Sequence, residues 1–380
     1  MRFNIFVNTL IIGLEKILQF LVIYMISNNY TEREFSIYVE YISLVLVLSI
    51  FYSIGSGVYL KELYSKYGDE YRDCFFDISK LLFISSLPIS LIACIIFSME
   101  VFSLPSGYYH ILFIQSIVTA FSATWNINNI INSFLVKRAV YLILVPKMLL
   151  ISLLFFDLEI IDIIYVQLIF SVISLIFIFP RFRIKYSGKV IFTEAVKYLP
   201  HSLGMYIIIN SDRLMVSALS SDYELIKYTL ATQFTNLLNL VSILFEVVFI
   251  KFILTKDKAH ERKISTIKLL SVPSFIFFAY CLTYIFEIVY PKYSGDVKYI
   301  LYINSIAMSF MFIYMLNVNK KISSGNGGSV VLFSSSFAIL NLLLNYYFIP
   351  EFGALAASLS TLLVYGLMAI FTTSRKRNRN

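Results

Sequence analysis

Long apolar runs alternate with short polar segments along the whole chain. A helix needs about 20 mostly apolar residues to cross a bilayer. Runs of that kind lie at about 4–26, 37–60, 81–98, 109–131, 139–156, 160–180, 199–219, 225–250, 269–290, 299–318, 329–348 and 354–373. The segments between them are roughly 20 residues at most, which leaves no room for a soluble catalytic domain. The pattern predicts an all-α integral membrane protein with about 12 transmembrane helices.

The composition agrees with this prediction and excludes a soluble or disordered protein. Apolar residues make up 59% of the 380 residues and charged residues 14%, whereas soluble proteins are about half apolar and a quarter charged. The three cysteines and three histidines are scattered, and no nucleophile lies near a candidate base. We therefore expect a protein that is not an enzyme and that has no cofactor and no metal site.

The positive charge lies almost entirely on one side of the predicted membrane. The formal net charge is +8, from 31 Lys and Arg against 23 Asp and Glu. With the N-terminus in the cytoplasm, the inner segments hold 24 of the basic residues and the outer loops hold three. Basic residues accumulate in short cytoplasmic loops of membrane proteins. We therefore expect both termini in the cytoplasm, and we interpret the basicity as a topology signal rather than as a nucleic-acid surface.

The two halves of the chain resemble each other at an offset near 190 residues. Lys80 and Lys268 each precede a Leu-Leu pair at the start of a span, and Tyr38 and Tyr228 lie near the start of another pair of spans. Six spans per half return the chain to its starting side, so the repeat is a parallel one. We predict two six-helix halves, residues 1–190 and 191–380, although chance similarity between apolar helices is the alternative.

Polar side chains form stripes along several predicted spans. They include Asn126 and Asn129 in the fourth span, Asn210 in the seventh and Asn239 in the eighth. At 100° per residue, the polar positions of each span fall within roughly 80° of one another. Such stripes favour a hydrated path for a polar, hydroxyl-rich substrate, and the alternative is hydrogen bonding between packed helices.

Charged residues inside the spans are the strongest candidates for function, because each is costly in a membrane. We expect the basic ones to attract an anionic substrate: Lys16, Lys147 and Arg213. The acidic ones are candidates for binding a coupling proton or sodium ion, or for a structural role: Glu15, Asp212 and Glu246. The adjacent Asp212 and Arg213 could instead form an ion pair that fixes helix packing, and Glu15 could partly neutralise Lys16.

Several segments resemble a family of bacterial membrane transporters. They are Tyr198-Leu199-Pro200, then Ser211-Asp212-Arg213 and Tyr228, and later Asn341 to Asn345, Ile349-Pro350, Gly353 and Ala356-Ala357. This set is similar to segments of the O-antigen and capsule polysaccharide flippases, the Wzx-type transporters of the MOP exporter superfamily. The likeness in plan covers the whole chain, with twelve spans, two halves, short loops and a basic cytoplasmic side.

The resemblance implies a fold and a function. It implies a two-lobe transporter of the bacterial inner membrane that flips an undecaprenyl-diphosphate-linked oligosaccharide between leaflets by alternating access. A cationic and polar central cavity would suit the diphosphate and the sugars. The partners we expect are this lipid-linked oligosaccharide, membrane lipids, a coupling proton or sodium ion, and the polysaccharide polymerase machinery, with no nucleic acid. A multidrug or ion antiporter of the same superfamily is the alternative, followed by an O-antigen polymerase or ligase.

Overall fold

The computed structural model describes residues 2–53, 55–67, 106–131, 144–156, 158–176, 194–254, 261–323 and 327–373. Nearly all of these residues are helical, so the predicted all-α fold class is confirmed. The α-helices of the described residues are α1 (Arg2–Asn29), α2 (Glu32–Ser53), α3 (Ser56–Tyr67), α4 (Tyr109–Ile131), α5 (Val145–Leu153), α6 (Ile160–Ile176), α7 (Leu199–Leu219), α8 (Asp222–Leu254), α9 (Glu261–Val289), α10 (Ser294–Ser323) and α11 (Gly327–Thr373). Short 3₁₀ turns, Ser106–Tyr108 and Pro291–Tyr293, precede α4 and α10.

The helices follow the predicted spans closely, because a bilayer-length apolar run is a local signal. The runs at 109–131 and 199–219 coincide with α4 and α7. The last two predicted spans fall within α11, which Gly353 divides by leaving the helical conformation. The run predicted at 81–98 lies outside the described residues. Four segments of the described helices are long and apolar enough to cross a membrane: Glu32–Ser53, Ile264–Val289, Val297–Ser323 and Val330–Thr373.

The predicted span 37–60 is interrupted near its end. Helix α2 ends at Ser53, and α3 begins at Ser56 after Gly55, whose φ is +72°. A Cβ at Gly55 would lie 2.6 Å from the carbonyl oxygen of Ala195 and 2.7 Å from the amide nitrogen of Leu199. Glycine is needed at this position because it adopts positive φ without strain and permits so close a backbone approach. The hydropathy of the run did not reveal this break.

The chain divides into two compact units, Met1–Tyr206 and Ile207–Asn380, which we call the N lobe and the C lobe. In the N lobe, α4 packs against α2 and α6, and α1 packs against α5. In the C lobe, α10 packs against α8, α9 and α11. Part of the C-lobe core is an apolar cluster of Leu238, Phe275, Phe312 and Leu316. The boundary predicted at residue 190 stays a prediction, since residues 177–193 lie outside the described part of the chain.

Candidate functional site

The carboxylate of Asp212 is completely buried in the C lobe, at 0% exposure. Its Oδ2 accepts a hydrogen bond of 2.7 Å from the hydroxyl of Tyr228 on α8. Its Oδ1 accepts one of 2.6 Å from Nδ2 of Asn345, on the first half of α11. The hydroxyl of Thr361, on the second half of α11, also donates to Oδ2. Three hydrogen-bond donors from two further helices therefore converge on one acid of α7.

These donors explain how the fold tolerates a carboxyl group where water is absent. An isolated buried carboxylate is strongly unfavourable unless it is paired or hydrogen-bonded. A hydrogen bond to a charged group contributes about 1.5–3 kcal/mol, roughly twice a neutral one. Asn345 lies one helical turn after Asn341, so both side chains are on the same face of α11. Nδ2 of Asn345 and the hydroxyl of Ser211 each lie 3.3 Å from Oδ1 of Asn341, so both donate to that oxygen.

We call the hydrogen-bonded group of Ser211, Asp212, Tyr228, Asn341, Asn345 and Thr361 the Asp212 cluster. Two of its polar atoms make no hydrogen bond with the described residues. Nδ2 of Asn341 and Oδ1 of Asn345 are buried and have no hydrogen-bond partner among the described residues. Carboxylate, amide and hydroxyl oxygens are the ligands that hard cations prefer. The arrangement can therefore hold a proton on Asp212, and its carboxylate, amide and hydroxyl oxygens are of the type that a small hard cation prefers.

Arg213 follows Asp212 in the chain but contacts a different neighbour. Its Nη2 donates a 3.1 Å hydrogen bond to the hydroxyl of Thr232 on α8. Consecutive residues of a helix are 100° apart, so the two side chains leave α7 in different directions. Asp212 is completely buried, whereas Arg213 is partly exposed. The alternative of an ion pair between the two is therefore not needed to explain how Asp212 is stabilised.

A second contact fixes where the last half of α11 begins. Oε2 of Glu224, in the first turn of α8, accepts a 2.9 Å hydrogen bond from the backbone N–H of Ala354. Oε1 of the same carboxylate forms an ion pair with the buried Lys227. Gly353, with φ +55°, allows this close approach. The start of the helix that carries Thr361 is thereby held against the helix that carries Tyr228.

The charged residues predicted in the N lobe form a separate group. Nζ of Lys147 on α5 lies 2.7 Å from Oε1 of Glu15 on α1, and both side chains are mostly buried. Nζ of Lys16 lies 3.5 Å from Oε1 of Gln19. The ion-pair partner of Glu15 is thus Lys147, and the partial neutralisation of Lys16 by Glu15 stays a prediction. Counted together, Glu15, Lys16 and Lys147 carry one net positive charge, so the group can still attract an anion.

The other predicted site residues are only partly placed. Asn210 is buried on α7. Asn126 and Asn129 lie on α4, and Asn239 and Glu246 lie on α8, but their side chains are outside the described part of the structure. Among the described residues, no group of three or more His, Cys, Asp or Glu could hold a metal ion. The roles of these residues and of the polar stripes stay predictions.

Sequence reasoning named Asp212 but not the residues that surround it. Tyr228 entered through the internal repeat and the family resemblance, Asn341 and Asn345 entered only through the resemblance, and Thr361 did not enter at all. The spacing of Asn341 and Asn345 in an apolar helix was a usable signal, because it places two amides on one buried face. Thr361 gave no local signal, since an isolated threonine in an apolar helix usually bonds to its own backbone.

Comparisons with known proteins give a fold and no close relative. No family model matches the chain, and no curated protein matches it. Among solved structures, a mutant of the MATE transporter VcmN from Vibrio cholerae is similar, with 13% identity, a TM-score of 0.69, and 97% of this chain and 94% of that chain covered.

Two further solved structures are similar over nearly the whole chain. The lipid II flippase MurJ in an inward closed conformation has 15% identity and a TM-score of 0.66, over 96% of this chain and 86% of that one. A MOP superfamily transporter from Pyrococcus furiosus has 11% identity and a TM-score of 0.62, over 97% of this chain and 93% of that one. This chain therefore has the fold of these transporters, as predicted, and it is a multi-pass membrane protein.

Proposed function

We propose that the protein flips an undecaprenyl-diphosphate-linked O-antigen or capsule oligosaccharide across the bacterial inner membrane by alternating access. In this proposal, Asp212 binds a coupling proton or sodium ion, and both termini lie in the cytoplasm. The fold supports membrane transport rather than catalysis, because the similar solved structures are transporters. The choice of a lipid-linked oligosaccharide rests on the segments that resemble the O-antigen and capsule flippases, and a lipid II flippase with the same fold supports it.

The observation that carries the proposal is the buried Asp212 cluster. A fully buried acid held by three side-chain donors is a costly arrangement in an apolar helix bundle. A helix bundle does not need such a group for stability, because apolar residues of similar volume pack as well or better. Ionisable residues inside membrane spans usually mark ion or proton pathways. An acid that alternates between free and cation-bound states would link the transport cycle to an ion gradient.

The basic residues support an anionic substrate. Arg213, on the turn that carries Asp212, is partly exposed, and its guanidinium has five donors that suit phosphate oxygens. The group of Glu15, Lys16 and Lys147 has one net positive charge in the N lobe. Either group by itself would attract a diphosphate, while the lipid tail would need only an apolar surface of the bundle.

The principal test replaces Asp212 by Asn, which keeps the shape and removes the charge. Deletion of the gene is expected to abolish surface polysaccharide, with lipid-linked repeat units accumulating on the cytoplasmic leaflet. Restoring the wild-type gene should reverse both effects. D212N should restore them to about a fifth or less, because coupling between two sites typically amounts to about 5- to 150-fold. The matched control is D222N at the first residue of α8, which should complement fully at equal membrane abundance.

A multidrug antiporter is the second candidate, because the fold of this chain is similar to that of a MATE transporter. It predicts a different outcome of the same experiment. The deletion strain would then have normal surface polysaccharide and greater sensitivity to cationic drugs, and D212N would fail to restore resistance. Normal polysaccharide in the deletion strain would therefore exclude the flippase function in favour of this alternative.

A further inference from the structure

Three lysines lie at one end of the C lobe, where α9 begins and α10 ends. Lys268 is the fifth residue of Ile264–Val289, the membrane-length segment of α9. Lys320 and Lys321 lie in the last turn of α10. The two helices are joined by a short turn and pack together, so the start of α9 lies beside the end of α10. We call Lys268, Lys320 and Lys321 the lysine cluster.

The amine of Lys268 is held by neutral groups of two other helices. Its Nζ donates a hydrogen bond to Oδ1 of Asn317 on α10. Nδ2 of Asn317 donates a 3.3 Å hydrogen bond to the hydroxyl of Thr372, near the end of α11. Asn317 and Thr372 are buried, so this chain of hydrogen bonds fixes the position of the amine. An ammonium group has three donors, and within the described part of the chain one of them is used, on an uncharged acceptor.

Lys320 and Lys321 continue the face of α10 that carries Asn317. They follow Asn317 by three and four residues, the spacing that places side chains one turn apart on the same face. Lys320 is close enough for its charge to repel that of Lys268. Nζ of Lys321 lies 5.3 Å from the ring centroid of Phe333 on α11. Several positive charges are therefore collected at one end of three packed helices.

The lysine cluster lies at the depth of lipid headgroups. The membrane-length segments of α9 and α10 have 26 and 27 residues, which corresponds to about 39–41 Å of helix. The hydrocarbon core of a bilayer is about 30 Å thick. Roughly the first and last turns of these segments therefore extend into the headgroup region, and the three lysines lie in or next to those turns.

Exposed apolar side chains lie beside the lysine cluster. Leu269 follows Lys268 in the chain and is 78% exposed, and Ile370 in the last turn of α11 is 64% exposed. Phe371 is also exposed, and its ring packs 6.2 Å from that of Phe333, the ring that Lys321 contacts. Such a surface favours a ligand with acyl chains, because a water-soluble anion would bury no apolar area against it.

We propose that the lysine cluster binds the phosphate group of an anionic phospholipid, whose acyl chains lie against the apolar side chains beside it. A phosphodiester accepts the hydrogen bonds that ammonium groups donate, and its charge offsets the repulsion between Lys268 and Lys320. The predicted topology puts this end of the C lobe in the cytoplasmic leaflet, where basic pockets between membrane helices bind anionic headgroups.

This lipid site is separate from the Asp212 cluster and does not depend on the transported substrate. Thr372 lies 11 residues after Thr361 in the same helix, which is about 16 Å along its axis. The inference therefore goes beyond the proposed function, and it is tested without measuring transport.

The test measures the thermal midpoint of the purified, detergent-solubilised full chain as dioctanoyl phosphatidylglycerol is added. The comparison ligands are dioctanoyl phosphatidylcholine, which has no net charge, and inorganic phosphate, which has no acyl chains. Phosphatidylglycerol is expected to raise the midpoint by about 2–4 °C, because a ligand that binds only the folded state stabilises it. The other two should have little effect. Raising NaCl from about 0.05 M to about 0.5 M should remove most of the shift, because salt screens partly exposed charges.

Asn317→Asp is the most informative variant, because it places a carboxylate against Lys268 without changing the size of the side chain. Without lipid, N317D should be at least as stable as the wild type, since Lys268 gains an ion pair. Its apparent affinity for phosphatidylglycerol should fall about tenfold, the effect of losing one charge-assisted hydrogen bond. K268Q/K321Q should lose the shift. K292Q/K298Q is the matched control, because it removes two lysines from the opposite end of the same lobe, and it should keep the shift.

The outcomes that contradict the proposal are distinct. An equal shift with phosphatidylcholine, or a shift that salt does not change, would mean that the headgroup charge is not recognised. An equal shift with inorganic phosphate would mean that the site takes a free anion rather than a lipid. Loss of the shift in K292Q/K298Q would mean that net charge, and not the lysine cluster, governs binding. If K268Q/K321Q does not fold, an unchanged affinity in N317D would by itself overturn the role of Lys268.

Discussion

The hydroxyl of Tyr228 donates a 2.7 Å hydrogen bond to Oδ2 of Asp212, from one helix of the C lobe to the next. Both groups are buried, so neither can exchange this bond for one with water. The bond therefore couples the ionisation state of the acid to the packing of α7 against α8. A tyrosine with the same helix position in the N lobe, Tyr38, bonds to a neutral amide instead. The two tyrosines are a natural matched pair for experiment.

Replacing Tyr228 by Phe is expected to destabilise the C lobe more than replacing Tyr38 by Phe destabilises the N lobe. The first change removes a bond to a carboxylate, about 1.5–3 kcal/mol, and the second removes a bond between neutral groups, about 0.5–1.5 kcal/mol. Denaturant unfolding of the purified protein in detergent micelles measures both. A loss for Tyr38→Phe that equals or exceeds the loss for Tyr228→Phe would contradict a charged acceptor at Asp212.

Replacing Glu15 by Gln is expected to destabilise the N lobe, because Lys147 then keeps a mostly buried charge without its 2.7 Å partner. The loss should lie between the ~1 kcal/mol of an exposed pair and the ~3–5 kcal/mol of a buried one. The charge-swapped double variant, E15K with K147E, should recover part of this loss. Lys197→Gln is the control, since its pair with Glu194 is exposed and should contribute nothing measurable. No recovery in the charge swap would mean that the pair acts through packing rather than charge.

Replacing Gly353 by Ala is expected to destabilise the C lobe for two reasons. The residue has φ +55°, which costs an L-residue about 1–2 kcal/mol. Its Cβ would also lie 2.5 Å from Oε2 of Glu224, displacing the carboxylate that accepts from Ala354. Gly366→Ala in the same helix is the control, because the nearest atom to its Cβ, in Phe310, is at an ordinary 3.9 Å. Equal thermal midpoints for the two variants would contradict the proposal that Gly353 is needed for the hydrogen bond between Glu224 and Ala354.

Replacing Gly55 by Ala is expected to be more damaging than the change at Gly353. Both glycines have positive φ, but the atoms that a Cβ would meet at Gly55 belong to the backbone of Ala195 and its neighbours up to Leu199. A side chain such as Glu224 can rotate away, whereas a backbone segment cannot move without shifting its helix. Gly107→Ala, where nothing lies within 4 Å of the new Cβ, is the control. The yield of folded protein and its thermal midpoint are the measurements, and a milder effect than at Gly353 would contradict this reasoning.

The sequence predicted the helices better than it predicted the contacts of the charged residues. The runs at 109–131 and 199–219 became helices with the same ends, because hydrophobic length is a property of the segment itself. The sequence suggested only that Glu15 could partly neutralise its neighbour Lys16, and it gave no sign of the ion pair with Lys147, which lies 132 residues away. The break at Gly55 was also missed, because the segment that approaches this glycine, Ala195 to Leu199, is distant in the sequence.

By itself, the sequence determined that the protein is an all-α, multi-pass membrane protein. Apolar length and the residues that begin or end a helix are local properties of the chain, whereas the repeat between the two halves stays a prediction. Only the tertiary structure decided which groups surround Asp212, because Thr361 lies 149 residues away and Asn345 lies 133 residues away. Likewise, only the packing of α2 with α6 shows that Gln167 accepts a hydrogen bond from Tyr38. Side-chain partners in a buried site depend on which helices pack together, and that information is distributed over the whole chain.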